Sequence, residues 1–376
     1  MKKILTTLLA AALLAGCGGT AANPQASAAG TAGAQTGKVY NVAYLVNGNL
    51  GDKSFFDSAE AGLEKLRDDG RINLKTIEMG CTDKDKPTWL STLYEVSDSG
   101  EYDLIICGTY QMPDYLKEVA DKNPDQHYLI FDDNTYAGES KNVVNITYKQ
   151  NELGYVVGTL AALQTQDTSL TNINPEKVLG FIGGIDSPVI NDFLYGFITG
   201  AQAVDPEIKI DTRYTNSYVD TAAAKEYALS MINDNKADII WGVAGNAGNG
   251  AVEAALENGG AWFIGVDSDQ EQTLSPDLAE ITLTSGLKNI GNSLIWFVDQ
   301  MDAGNEYWGT EISLGLKEDG VGIVTDKNYA KYVPEDIQAK VSEAIESVKS
   351  GAIEVPTALT EEGNTAVTDL RESVRP

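Results

Sequence analysis

Histidine is almost missing: of 376 residues only His127 carries an imidazole. A Ser-His-Asp or Cys-His catalytic site would have to be built on it, and a histidine-rich metal site cannot be built. Basic residues are also scarce. Lys and Arg number 27 against 55 Asp and Glu, giving a formal charge of -28 and an isoelectric point near 4.3. Such a chain repels phosphate, which argues against a nucleic-acid partner. Past the N-terminus no run approaches the ~18 uninterrupted apolar residues of a membrane span. What is present is 43 % hydrophobic and 22 % charged residues, a composition that buries a core. At ~150 residues per domain the length fits two domains or one large α/β unit. The balance points to a binding protein rather than an enzyme, with no cofactor or metal expected.

The N-terminus reads as an address. Lys2 and Lys3 precede an apolar stretch of 12 residues, Ile4 to Ala15, interrupted only by Thr6 and Thr7, too short to cross a bilayer and suited to a signal peptide. Leu14-Ala15-Gly16-Cys17 resembles the bacterial lipobox, in which Cys17 becomes the acylated first residue. Residues 1–16 are therefore expected to be removed, and the Gly- and Ala-rich residues 17–37 to form a flexible tether. Export would permit Cys81 and Cys107 to pair, which the sequence leaves open; Cys107, ending an apolar run, reads as a free buried thiol.

From Val39 onward strand and helix alternate. Strands are expected at Val42–Val46, Ile72–Ile77, Leu104–Cys107 and Tyr128–Phe131, with helices at Phe55–Leu66, Trp89–Val96 and Tyr115–Ala120 between them. The order then restarts: strands at Val178–Ile182, Ile208–Tyr214, Ile239–Val243 and Trp262–Val266, helices at Ile190–Val204, Ala222–Ile232 and Ala251–Leu256. Landmarks repeat. Gly62 lies 46 residues before Gly108 and 70 before Asp132, while Gly200 lies 45 before Gly245 and 67 before Asp267. Phe55 and Phe193 each stand seven residues before the helix glycine, and Asp83 and Asp220 about 20 after it. The pattern predicts an α/β protein of two similar doubly wound parallel-sheet lobes. Val143–Tyr148, Ile281–Ser285 and Val321–Thr325 read as three hinge strands. The lobes are expected to comprise residues 38–147 plus 286–320, and 148–285 plus 321–376.

Open parallel sheets bind ligands beyond the carboxyl ends of their strands. The residues to inspect are Asn47, Thr82, Thr109 and Asp132 in one lobe, and Gly183, Tyr218, Gly245 and Asp267 in the other. From periodicity alone Phe55 and Phe193 read as core, Tyr218 equally as loop or site, and His127 as surface. Ser54 with Asp57 reads as a capping box, and Ser187-Pro188 as a helix start. The Gly245–Gly250 run lacks the Gly-Lys-Ser/Thr ending of a phosphate loop.

The segments Asn47-Gly-Asn-Leu-Gly-Asp-Lys-Ser-Phe55, Phe181-Ile-Gly-Gly184, Val243-Ala-Gly-Asn-Ala-Gly-Asn-Gly250, Gly265-Val-Asp-Ser-Asp-Gln270 and Thr284-Ser-Gly-Leu-Lys288 resemble, in order, the basic membrane protein family. These are substrate-binding lipoproteins of ABC importers with a type I periplasmic-binding-protein fold, whose characterised members bind nucleosides. The resemblance implies that Phe55 and Tyr218 hold a nucleobase, that Asp267 and Lys288 bind ribose, that Gly245 lets backbone approach the sugar, and that Asp132 lies nearby in the cleft. Asn47 stands where the family usually has Asp, and Phe56 where it has Asn, which leaves base preference open. The resemblance further implies a monomeric nucleoside receptor, lipid-anchored at Cys17 on the extracytoplasmic face of the membrane and delivering its ligand to an ABC permease. A sugar or autoinducer receptor on the same fold, a sensor and a nucleoside hydrolase are the alternatives. The last lacks the expected Asp-rich cluster after the first strand.

Overall fold

The computed structural model describes residues 38–82 and 84–376. The expected signal peptide, Cys17 and tether, and the landmark Asp83, lie outside the described residues. The first part of the chain runs β1 (Tyr40–Val46), α1 (Phe55–Asp68), β2 (Ile72–Glu78), α2 (Lys86–Asp98), β3 (Leu104–Gly108), α3 (Pro113–Lys122), β4 (Tyr128–Phe131) and β5 (Val143–Tyr148). It continues with α4 (Gln150–Gln164), β6 (Val178–Gly183), α5 (Pro188–Val204), β7 (Lys209–Tyr214), α6 (Thr221–Asn233), β8 (Ala237–Val243), α7 (Asn249–Asn258) and β9 (Trp262–Asp267). Then follow α8 (Gln270–Thr273), α9 (Pro276–Glu280), β10 (Thr282–Lys288), α10 (Ile290–Asp302), β11 (Glu311–Leu314), β12 (Val321–Ile323), α11 (Lys327–Tyr332), α12 (Glu335–Lys349) and α13 (Glu361–Ser373).

Two six-stranded sheets result, ordered β11-β5-β4-β3-β1-β2 and β12-β10-β9-β8-β6-β7. The two orders are equivalent strand for strand, as the repeated landmarks require. The one difference in sense is at an edge: β11 runs parallel to β5, β12 antiparallel to β10. Central strands such as β3 and β8 are buried along their whole length, which explains their unbroken apolar sequence under helices on both faces. The chain is an α/β protein of two doubly wound lobes.

The polypeptide passes between the sheets after β5, after β10 and between β11 and β12. The stretches read as hinge strands are therefore ladder-paired members of the sheets, β5, β10 and β12, with the crossings at their ends. Because β10 stays in the second sheet through Lys288, a lobe boundary at 285/286 falls inside a strand. Helix α10 returns to pack on α1, where a Cβ on Gly62 would lie 2.4 Å from Gly291 Cα. Helices α4 and α5 touch backbone to backbone: a Cβ at Gly158 would sit 2.1 Å from Phe197 O, and one at Gly200 2.1 Å from Tyr155 O.

His127 is not a free surface residue. It is half-buried and stacks on Trp308 with centroids 4.0 Å apart, and burial lowers its pKa.

Candidate functional site

The carboxyl ends of the two sheets enclose a cavity of about 1050 Å³ measured out to its mouth. All seven residues expected at a ligand site line it: Asn47, Phe55 and Asp132 from the first lobe, Tyr218, Gly245, Asp267 and Lys288 from the second. Thr109 lines it too, whereas Thr82 and Gly183 do not. Thr82 instead hydrogen-bonds Asp85 ahead of α2, and Gly183 packs beneath Tyr214 and Ile190.

The rim has a common backbone signature. Thr109, Asp132 and Gly245 follow β3, β4 and β8, Asp267 ends β9, and all four have left-handed φ, +75°, +65°, +53° and +65° in that order. For the three non-glycine residues this conformation costs on the order of 1–3 kcal/mol each. It turns the chain sharply at the sheet ends, where both aspartates reach the cavity.

Three charged side chains of the wall, Asp132, Lys288 and Asp267, act on one another. Lys288 is 1 % exposed, and its Nζ lies 2.6 Å from Asp132 Oδ1. The ammonium also lies 4.9 Å from the Phe193 ring centroid and 5.5 Å from those of Phe55 and Tyr148. Cation–π attraction of this kind is strongest when desolvated, as here. Asp267 is buried, and loss of water pushes its carboxyl up to about 6; Lys288 and a hydrogen bond from Ser54 pull it back, while Asp132 and Asp52 push it further up. Burial also raises Asp132, against the pull of Lys288. The lysine is thus held by Asp132, leaving Asp267 with acceptor capacity toward the cavity.

Aromatic side chains share the wall with this cluster. Phe55 packs against Phe131 at 5.4 Å and edge-on against Phe56 at 5.2 Å, yet presents itself to the cavity, as does Tyr218 from the second lobe. Asn47 donates from Nδ2 to Thr109 Oγ1 at 2.7 Å, and its buried Oδ1 has no partner among the described residues. An orphaned buried acceptor costs about 1–3 kcal/mol, so a ligand N–H there would be favoured. Sequence reasoning missed Tyr110 and Gln111 on the wall, met Phe56 only as a departure from the family pattern, and assigned Phe193 to the core alone. Phe193 is both, 2 % exposed and wall-forming. The only early signal for it was its repeat equivalence to Phe55.

The capping box at Ser54 is not formed. Its side chain makes no cap bond to α1. Asp52 does that work, accepting from the backbone N–H of Ser54, Phe56 and Asp57, while Asp57 accepts from those of Gly51 and Lys53. Ser187 does precede the start of α5 at Pro188, also without a side-chain cap. Cys81 and Cys107 are both free; Cys107 is buried, and burial raises its thiol pKa.

Residues 39–354 match the family Bmp, described as ABC transporter substrate-binding protein PnrA-like. The chain belongs to this family. Bmp proteins are ABC transporter substrate-binding proteins, not enzymes. Basic membrane protein A of Borreliella burgdorferi is 32 % identical over 320 residues, covering 84 % of this chain and 86 % of that protein. A Lactococcus lactis relative named ABC transporter nucleoside-binding protein BmpA is 28 % identical, with coverage of 93 % and 96 %. Among solved structures, an ABC transporter solute-binding protein of Aeropyrum pernix superposes with a TM-score of 0.77 at 23 % identity, covering 89 % of this chain and 99 % of that one. That likeness concerns the fold, and the two-lobed architecture agrees with it. Among the described residues of this Bmp protein no helix is long and apolar enough to cross a membrane, and no cluster of His, Cys, Asp and Glu suits a metal.

Proposed function

We propose that this protein captures a nucleoside, with a purine base, between its lobes and delivers it to an ABC permease. The observation that carries the reading is the combination of groups that line one cavity. Aromatic side chains of both lobes, Phe55 and Tyr218, line it together with the Asp132–Lys288–Asp267 cluster, whose ammonium lies 5.5 Å from the Phe55 ring centroid. A flat heterocycle joined to a vicinal diol offers a face to the rings and hydroxyls to the charged groups. Asp267 accepts from two hydroxyls, Lys288 donates, and Gly245, at φ +53°, leaves room for the sugar. The Lactococcus relative's name supports the same ligand class. Closure of the lobes about the three crossings retains the ligand. One chain supplies both walls, so it acts as a monomer. Cys17 carries a lipid that holds the protein at the extracytoplasmic face of the membrane.

Calorimetry against purine and pyrimidine nucleosides, free bases and monosaccharides tests the proposal. Purine nucleosides should bind more tightly than either component alone. Binding of monosaccharides with no response to any nucleoside would instead favour a sugar receptor.

A further inference from the structure

Because Asp52 caps α1, the hydroxyl of Ser54 is released from its local task. It is fully buried and points out of its own lobe. Its Oγ donates across the cleft to Asp267 Oδ2 at 2.9 Å, with Val266 O at 3.2 Å as a second acceptor. A hydroxyl has one proton, and the shorter contact to the carboxylate is the stronger. A second hydroxyl crosses in the opposite direction: Ser268 Oγ, just after Asp267, donates to Lys53 O at 2.7 Å. The two neighbours Lys53 and Ser54 of the first lobe are thus joined to Val266, Asp267 and Ser268 of the second.

Two features mark this as more than incidental contact. Lys53 has a left-handed φ of +57°, and the turn that contains it is held by both carboxylates, Asp52 and Asp57. That turn also leads directly into Phe55 on the cavity wall, while its partner Asp267 lies on the facing rim.

We infer that Ser54 and Ser268 form a reciprocal clasp between the lobes, and that Ser54 is a positioning residue that fixes the Asp267 carboxylate for its ligand. The inference deepens the nucleoside reading and rests on it for the ligand's identity. The clasp makes closure and site assembly one event: the hydrogen bond that joins the lobes also orients the carboxylate. The groups acting on Asp267 are Lys288, Asp132 and Asp52, together with Ser54 itself.

The test compares wild type, Ser54→Ala and Ser268→Ala, with adenosine, guanosine and inosine as probes. A lost hydrogen bond to a charged group should speed nucleoside dissociation by about ten- to a hundredfold in Ser54→Ala, with association changed less than about threefold. Ser268→Ala should also speed dissociation, by a smaller factor. Carbon-13 NMR titration of the ligand-free protein gives a readout independent of the ligand. The Asp267 carboxyl should titrate at higher pH in Ser54→Ala than in wild type and be unmoved in Ser268→Ala. An unmoved Asp267 titration in Ser54→Ala overturns the positioning role, and wild-type dissociation from both variants overturns the clasp. Silence of every nucleoside with wild type overturns the nucleoside reading. The scattering radius of the ligand-free variants then decides the clasp: it should exceed that of wild type, and equal radii overturn it.

Discussion

Asp267→Asn should weaken ligand binding while making the empty protein more stable. The carboxyl is buried and titrates near 6 in the fold, against 3.8 when exposed. Its folded-state pKa is raised, so the unfolded chain ionises first as pH increases. Stability from this group is therefore complete below about pH 4, falls between about 4 and 6, and stays lost above that. The cost at neutral pH is on the order of 3 kcal/mol. Asparagine keeps the shape, can still accept from Ser54, and removes the charge. Lys288 keeps its ion pair with Asp132, so no cation is orphaned. Thermal denaturation of the ligand-free variant at pH 7 should show a gain approaching 3 kcal/mol, and the gain should vanish near pH 4. The diol loses a charged acceptor for two hydroxyls, each worth about 1.5–3 kcal/mol, so affinity should drop by roughly a hundred- to ten-thousandfold. Melting at or below the wild-type temperature at pH 7 would refute the burial reasoning. Unchanged affinity by calorimetry would refute the sugar assignment.

Phe55→Ala should weaken nucleoside binding by about 1–3 kcal/mol, the worth of one stacked base, as read by calorimetry. Lys288→Met strands the buried Asp132 carboxylate; denaturant unfolding at pH 7 should show a loss of about 3–5 kcal/mol, partly regained at low pH where Asp132 is protonated. Gly200→Ala forces a methyl to within 2.1 Å of Tyr155 O, so α4 and α5 must separate. A loss of about 1–3 kcal/mol or more in the same assay is expected, and wild-type stability would contradict the close approach.

The alternation of strands and helices was legible because central strands are unbroken apolar runs and most helices keep one wet face. Helix α4 was not, since it is buried nearly all round and has no polar stripe to set a period. The site's charged and aromatic residues were legible mainly through motif resemblance; strand ends alone gave Thr82 and Gly183 as well, which lie off the cavity. Ser54 shows how a local signal misleads. Ser-x-x-Asp before a helix is a fair capping pattern, but Asp52, two residues earlier, competes for the same N–H groups and wins. His127 failed for a long-range reason: nothing near it in sequence announces Trp308. Tyr110 gave no signal, because a tyrosine in a loop reads the same whether it faces solvent or a ligand.

The glycine contact between α4 and α5 has a mechanical consequence. The first turns of α5 carry Val189, Ile190 and Phe193 on the cavity wall, and α4 begins where the chain makes its first passage between sheets. With main chain pressed against main chain there is no side-chain cushion to absorb a displacement. The main chain at Phe193 lies directly against the start of α4, where a Cβ on Gly154 would sit 2.2 Å from Phe193 O, so neither helix has room to tilt toward the other at the point where cavity wall and first crossing meet.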